Sequence, residues 1–181
     1  MVIQEDRRQV SVLFVDIVDF TAYAEGADPE QARSLQQAYF ATVRRVVHQY
    51  GGVVEKYIGD AVMALFGAPV ATDNDALRCV RAGLELQRSL ARQPAGPEQP
   101  LRFRVGVATG EALVDLSAAR DGGQAFVTGD VVNTASRLQS FAPPGGVVVD
   151  ESTWSATCHE LEYADQPPRS EEHTSELQSL R

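Results

Sequence analysis

The chain's single lysine, Lys56, stands against fifteen arginines and lies in Glu55-Lys56-Tyr57-Ile58-Gly59-Asp60, four residues before a carboxylate. Two apolar runs flank Gly59-Asp60, a dipeptide with the chemistry of a tight hairpin turn. A cation and an anion beside one turn can hold a nucleotide phosphate or base. The same pattern also describes a decorated surface hairpin. A second carboxylate, Asp16, closes an apolar run in Phe14-Val15-Asp16-Ile17-Val18-Asp19-Phe20-Thr21. If the two segments pair in a sheet, Asp16 and Asp60 converge. With backbone oxygens such as that of Ile17 they then make a hard-oxygen site suited to Mg²⁺ or Mn²⁺. A pair of such ions activates an attacking hydroxyl and stabilises a leaving phosphate oxygen. Taken singly, Asp16 merely ends a strand and Asp60 merely makes a turn. A third segment places Asn133 and Arg137 four residues apart, on one face of a helix. An amide and a guanidinium so placed can orient a ribose and neutralise charge on a transferring phosphoryl group, or simply face water.

These side chains need elements to position them. Residues 10–15 read as a buried strand ending at Asp16. Asp28-Pro29-Glu30-Gln31 opens a helix, with Asp as cap and Pro in the first position. Leu35, Tyr39, Val43, Val46 and Tyr50 form its apolar stripe and Gly51-Gly52 its stop. Residues 53–66 make the hairpin. Asp73 and Asp75 are the expected caps of a second long helix, with Leu77, Val80, Leu84 and Leu90 inward and Arg78, Arg81, Arg88 and Arg92 on the solvated side. A Pro-rich loop follows over 93–100, then a strand over 103–109 and a polar excursion over 117–124. Phe126 and Val127 suggest a short strand, 130–141 a short helix and 147–149 a last strand. This order predicts an α+β fold: a ferredoxin-like βαββαβ core, mostly antiparallel, with helices on one face and C-terminal additions. The first two strands are expected to be neighbours, which would bring Asp16 to Asp60.

At 181 residues the chain fits one domain, or one domain and a tail. Its net charge of −9 argues against sequence-independent nucleic-acid binding, which needs clustered cations on phosphates. Cys79 and Cys158 show no metal spacing, and His48, His159 and His173 are scattered, so no zinc site is expected. No apolar run approaches the ~18 residues of a membrane span, and no signal peptide is visible. A cytoplasmic location without direct membrane contact is the simplest expectation. Residues 169–181 resemble the in-frame translation of a sequencing-adapter oligonucleotide, the alternative being a short polar helix. They are set apart from the fold.

Four segments together carry a specific resemblance. Residues 13–21, residues 55–63, Gly106-Val107-Ala108-Thr109-Gly110-Glu111 and residues 129–138 resemble, in order and spacing, the catalytic domain of class III adenylate and guanylate cyclases. The domain is expected over residues 8–168. The resemblance implies a head-to-tail homodimer with two active sites at its interface, each holding two Mg²⁺ or Mn²⁺ ions. It implies that Asp16 and Asp60 bind metal, with the Ile17 carbonyl beside them. Lys56 then reads adenine N1, Asn133 orients the ribose, and Arg137 stabilises the pentavalent transition state. The implied reaction is attack of the ribose 3′-hydroxyl on the α-phosphate of ATP, giving cyclic AMP and pyrophosphate. Three departures stand out. Phe126 occupies the place, seven residues before Asn133, where the family usually has an Asp or Thr acceptor for the adenine amino group; Thr128 is a candidate stand-in. Asp19 replaces a frequent Gly and is expected as a helix N-cap. The family's usual final strands, which commonly carry a phosphate-contacting lysine, are expected to be incomplete. Regulatory domains often accompany such catalytic domains.

Overall fold

The computed structural model describes residues 5–92, 101–117, 126–165 and 178–180, with the backbone alone for Phe126, Asp165 and 178–180. The expected loop over 93–100 and most of the excursion over 117–124 lie outside the described residues. The core elements are β1 (Glu5–Ile17), α1 (Phe20–Gly26), α2 (Pro29–Gln49), β2 (Val53–Ile58), β3 (Ala61–Phe66), α3 (Asp75–Leu90) and β4 (Phe103–Asp115). After them come β5 (Phe126–Thr128), α4 (Asp130–Phe141), β6 (Val147–Val149), α5 (Glu151–Thr157), β7 (Tyr163–Asp165) and β8 (Gln178–Leu180). The strands order as β2-β3-β1-β4-β6-β8-β7, with β5 also paired to β4. All described pairings are antiparallel except β4 with β6.

The expected pairing of the first two strands does not form. β1 does not neighbour β2; it lies between β3 and β4, and β2 is the edge strand beyond β3. The α2 connection carries the chain past an empty position, which β3 then fills by folding back through a two-residue turn. β1 and β4 are also longer than their apolar runs and pair from Glu5↔Asp115 to Ile17↔Phe103. Backbone pairing carries them beyond the buried stretch that marks them in the sequence.

A strand between two others, covered on both faces, reads as a continuous apolar run. In β1, Leu13, Val15 and Ile17 meet Tyr39, Val43 and Val46 of α2 and Val80 and Leu86 of α3. The alternate residues Val10, Val12 and Phe14 meet Met63, Leu65, Ala108 and Val114, with Val131, Ala135 and Leu138 of α4. Both helices of the βαββαβ core therefore share one face, and α4, one of the additions, covers the other. Ser11 interrupts the run but is satisfied: its hydroxyl lies 2.8 Å from Thr109 Oγ1, which lies 2.8 Å from Thr153 Oγ1 of α5. This buried hydroxyl relay ties α5 to the sheet.

The helix ends follow local chemistry with two corrections. Asp28 caps α2, its carboxylate accepting from the Glu30 amide at 2.8 Å, and Gly51 takes the left-handed conformation past the helix end (φ 79°). At α3 the cap residue is Asn74, not Asp73, and Asp75 is the first helical residue. The Asp75 carboxylate accepts from the Thr72 amide and hydroxyl and pairs with Arg78. Arg78 is consequently not on the solvated side: it donates to the Tyr50 carbonyl at 3.2 Å, fastening the end of α2 to the start of α3. Residues 178–180, inside the segment set apart on sequence grounds, pair with β6 and β7 as β8. Two open strand edges accept an extended segment through backbone bonds, almost regardless of its side chains.

Candidate active site

Asp16 and Asp60 do converge, through β3 rather than β2. β1 pairs with β3 as far as Val15↔Val62, and Asp60 is the turn residue just before β3. Gly59 opens that turn with φ 60°, the left-handed value its first position needs. The Asp16 carboxylate is half-buried, and its Oδ1 accepts from the Ile17 amide at 2.8 Å. Burial pushes the Asp16 carboxyl above its ordinary value; the Ile17 N–H opposes this, the charge of Asp60 adds to it, and Arg104 offsets part of it. Tyr39, fully buried on α2, donates from its hydroxyl to the Val15 carbonyl at 3.1 Å. Burial, then the charges of Asp16 and Asp60, hold that phenol well above its ordinary value, so it stays a neutral donor.

This arrangement fits divalent cations. Among the described residues no group of three or more His, Cys, Asp and Glu forms a complete protein cage. A carboxylate pair, with the Asp16 carboxyl at raised proton affinity, would need backbone oxygen, water and substrate phosphate to complete a cation's shell. Mg²⁺ is usually held that way.

The other expected residues are placed separately. Asn133 and Arg137 lie on the exposed side of α4, opposite Val131, Ala135 and Leu138, and make no hydrogen bond or ion pair with Asp16 or Asp60 among the described residues. Lys56 sits in β2, paired with Met63 and half-exposed. Thr128 ends β5, exposed, and Phe126 pairs through its backbone with Asp115.

Asp19 occupies the N-cap position of α1, but its side chain makes no capping bond; only its carbonyl caps, accepting from the Tyr23 amide at 3.0 Å. Its φ of 59° explains the discrepancy: the chain turns there in the left-handed region that glycine tolerates best. Asp19→Gly should therefore raise unfolding free energy by about 1 kcal/mol in urea titrations, and Asp19→Ala should not.

Five residues near the site were not singled out from the sequence. Arg104 stands directly across from Asp16, and its Nε is buried without a hydrogen-bond partner among the described residues. Gln36 donates from Nε2 to Asp60 Oδ1 at 2.9 Å. One helical turn further on, Phe40 packs on Tyr57 with ring centroids 4.7 Å apart, and Arg44 donates to the Tyr57 hydroxyl at 2.9 Å. Gln36, Phe40 and Arg44 form one stripe of α2 gripping the hairpin that carries Asp60. The four-residue spacing was visible, but its partner was not. Glu55 is the fifth, a buried carboxylate beside Lys56.

Comparison with known proteins identifies the family. The family model described as the adenylate and guanylate cyclase catalytic domain matches residues 2–170. The chain is 34% identical over 147 residues to "Adenylate cyclase 1" of Rhizobium meliloti (strain 1021), covering 79% of this chain and 22% of that protein. It is 29% identical over 151 residues to "Guanylate cyclase soluble subunit beta-2" of Homo sapiens, covering 82% of this chain and 24% of that one. The chain thus spans about a quarter or less of the length of these curated relatives. Among solved structures it resembles the adenylyl cyclase CyaB from P. aeruginosa, with a TM-score of 0.86, 25% identity and coverage of 98% and 96% of the two chains. It also resembles the guanylyl cyclase Cya2, with a TM-score of 0.83, 27% identity and coverage of 97% and 91%. With its fold and family match in agreement, the chain belongs to the adenylate and guanylate cyclase catalytic domain family, class III.

Proposed function

We propose that this catalytic domain converts ATP to 3′,5′-cyclic AMP and pyrophosphate, in a site shared between two copies of the chain. The observation that supports the shared site most is the separation within one chain. The carboxylates Asp16 and Asp60 gather at one end of β1, while Asn133 and Arg137 face outward from α4. A second copy related head to tail supplies to each carboxylate pair the amide and guanidinium it lacks.

Asp16, Asp60 and the Ile17 carbonyl would hold two Mg²⁺ or Mn²⁺ ions. Bound there, the ions supply Lewis acidity toward the 3′-hydroxyl and the departing pyrophosphate oxygen. Asn133 orients the ribose so that its 3′-oxygen meets the α-phosphorus in line. Arg137 neutralises the charge that grows on the equatorial phosphate oxygens. Arg104, beside Asp16, offers a fixed positive charge toward the triphosphate. Lys56 donates to adenine N1 and carries the preference for ATP, the place of the family's acceptor falling either to Phe126 or to Thr128. The rate comes from positioning and charge stabilisation rather than a covalent intermediate.

The test is product analysis with each nucleotide. ATP with Mg²⁺ or Mn²⁺ should yield cyclic AMP, GTP should turn over more slowly, and chelation of the metal should abolish both. Specific activity should rise steeply with protein concentration as dimers form. Nucleotide binding without turnover at concentrations where the chain is dimeric would favour a second reading, motivated by Phe126: a nucleotide-binding regulatory domain of cyclase fold. Faster turnover of GTP than of ATP would overturn the assignment of base.

A further inference from the structure

Among the described residues Glu55 is the only acidic residue in the buried class, at 3% exposure, and its Oε2 has no hydrogen-bond partner. It lies in β2 immediately before Lys56. In a regular strand consecutive side chains point to opposite faces, so neighbours in sequence do not meet. Here the pairing steps from Val54↔Ala64 to Lys56↔Met63, leaving Glu55 as an inserted residue in a β-bulge. A bulge re-aims side chains. The result is an ion pair between neighbours, with Lys56 Nζ 3.7 Å from Glu55 Oε2.

Leaving a carboxylate buried and short of donors costs stability, and an apolar residue would pack there at less cost. Burial pushes the Glu55 carboxyl up, and the Lys56 charge opposes the shift. The ammonium itself remains reachable, since the Lys56 side chain is 38% exposed against 4% for Glu55. An ammonium carries three donors on a flexible stem, and a fixed anion on its inner side limits where the remaining donors point.

We propose that Glu55 is a positioning residue for Lys56, anchoring the ammonium from the inner side so that its outward donors meet the purine edge. This rests on the reading of Lys56 as the base-reading residue. With Phe126 at the family's acceptor position, base selection depends more heavily on where that one ammonium is held.

The test uses the full chain with Glu55→Gln, which keeps the shape and removes the charge, and Glu55→Asp, which keeps the charge and shortens the reach. Lys56→Ala serves as control for the underlying reading. Because the chain has a single lysine, ¹³Cε-lysine labelling gives one NMR signal, which reports on Lys56 alone. Glu55→Gln should stay folded, with a melting temperature equal to or above that of the parent. Its lysine signal should move, and its KM for ATP should rise about tenfold, with the ATP-to-GTP ratio of kcat/KM falling. Glu55→Asp should lie between the two. A lysine signal that stays in place, or an ATP KM within twofold of the parent in Glu55→Gln, overturns the proposal. If Lys56→Ala still raises the ATP KM in that case, the base-reading role of Lys56 survives it. If Lys56→Ala leaves the ATP KM unchanged, both fall.

Discussion

Mixing two inactive variants should restore cyclase activity. Asp16→Ala/Asp60→Ala lacks the carboxylates that would hold the ions, and Asn133→Ala/Arg137→Ala lacks the groups that would meet the ribose and the reacting phosphate. Alone, each homodimer has two broken sites, and turnover should fall by roughly 10³-fold or more, as when preorganised charge stabilisation is removed. In a heterodimer one site combines both damaged surfaces and the other combines both intact ones. Random exchange makes half of the dimers mixed, so an equimolar mixture should recover about a quarter of the parent activity. Sedimentation must first show that the variants dimerise. Mixed dimers without recovered activity would sink the shared site, and activity in either variant alone would show that its residues are not essential.

The second large effect is expected at a residue that touches no substrate. Gly106 lies in β4 opposite Phe14, beneath α4. A Cβ added there would overlap the Gln139 amide nitrogen and the Ala135 carbonyl oxygen, both backbone atoms of the helix. A side-chain clash can relax by rotation, but this one must move the helix. Gly106→Ala should cost about 1–3 kcal/mol of stability, lowering the melting temperature by roughly 2–12 °C at ~2–4 °C per kcal/mol for a chain of this size. Because α4 carries Asn133 and Arg137, a displacement of about 1 Å should also lower kcat by about 10²-fold. Gly26→Ala is the control, since nothing lies within 4 Å of a Cβ there, and it should change neither quantity appreciably. Parent-like melting in Gly106→Ala would show that α4 is not seated as closely on β4 as the geometry requires.

Both predictions draw on features of different legibility. The strand of residues 10–15, the capped helix from Asp28 and the Gly59-Asp60 turn were readable because each rests on local chemistry. A continuous apolar run, a cap with proline behind it and a residue that tolerates positive φ are all written over a few neighbouring positions. The candidate site residues were readable as types at fixed spacing: Asp16, Lys56, Asp60, Asn133 and Arg137 all lie within short segments. Asp19 was legible as a cap position, but its left-handed backbone was not, and that geometry sets its side chain aside from capping.

Sequence alone determined the order of the elements of the βαββαβ core and the chemical vocabulary of the site, since these follow from periodicity and residue type; the short helices at 20–26 and 151–157 left no such periodicity. Only the tertiary structure decided that β1 lies between β3 and β4, because strand order is chosen by which edges remain open after the crossover. It decided that Arg104 faces Asp16, that Gln36 holds Asp60 and that Arg78 is fastened to Tyr50, because these pairs join residues far apart along the chain or on different elements. Strand register or helix docking brings them together, and neither leaves a mark at either residue. It also decided that Glu55 meets Lys56, since a single inserted residue reverses the alternation that any reading of a regular strand assumes.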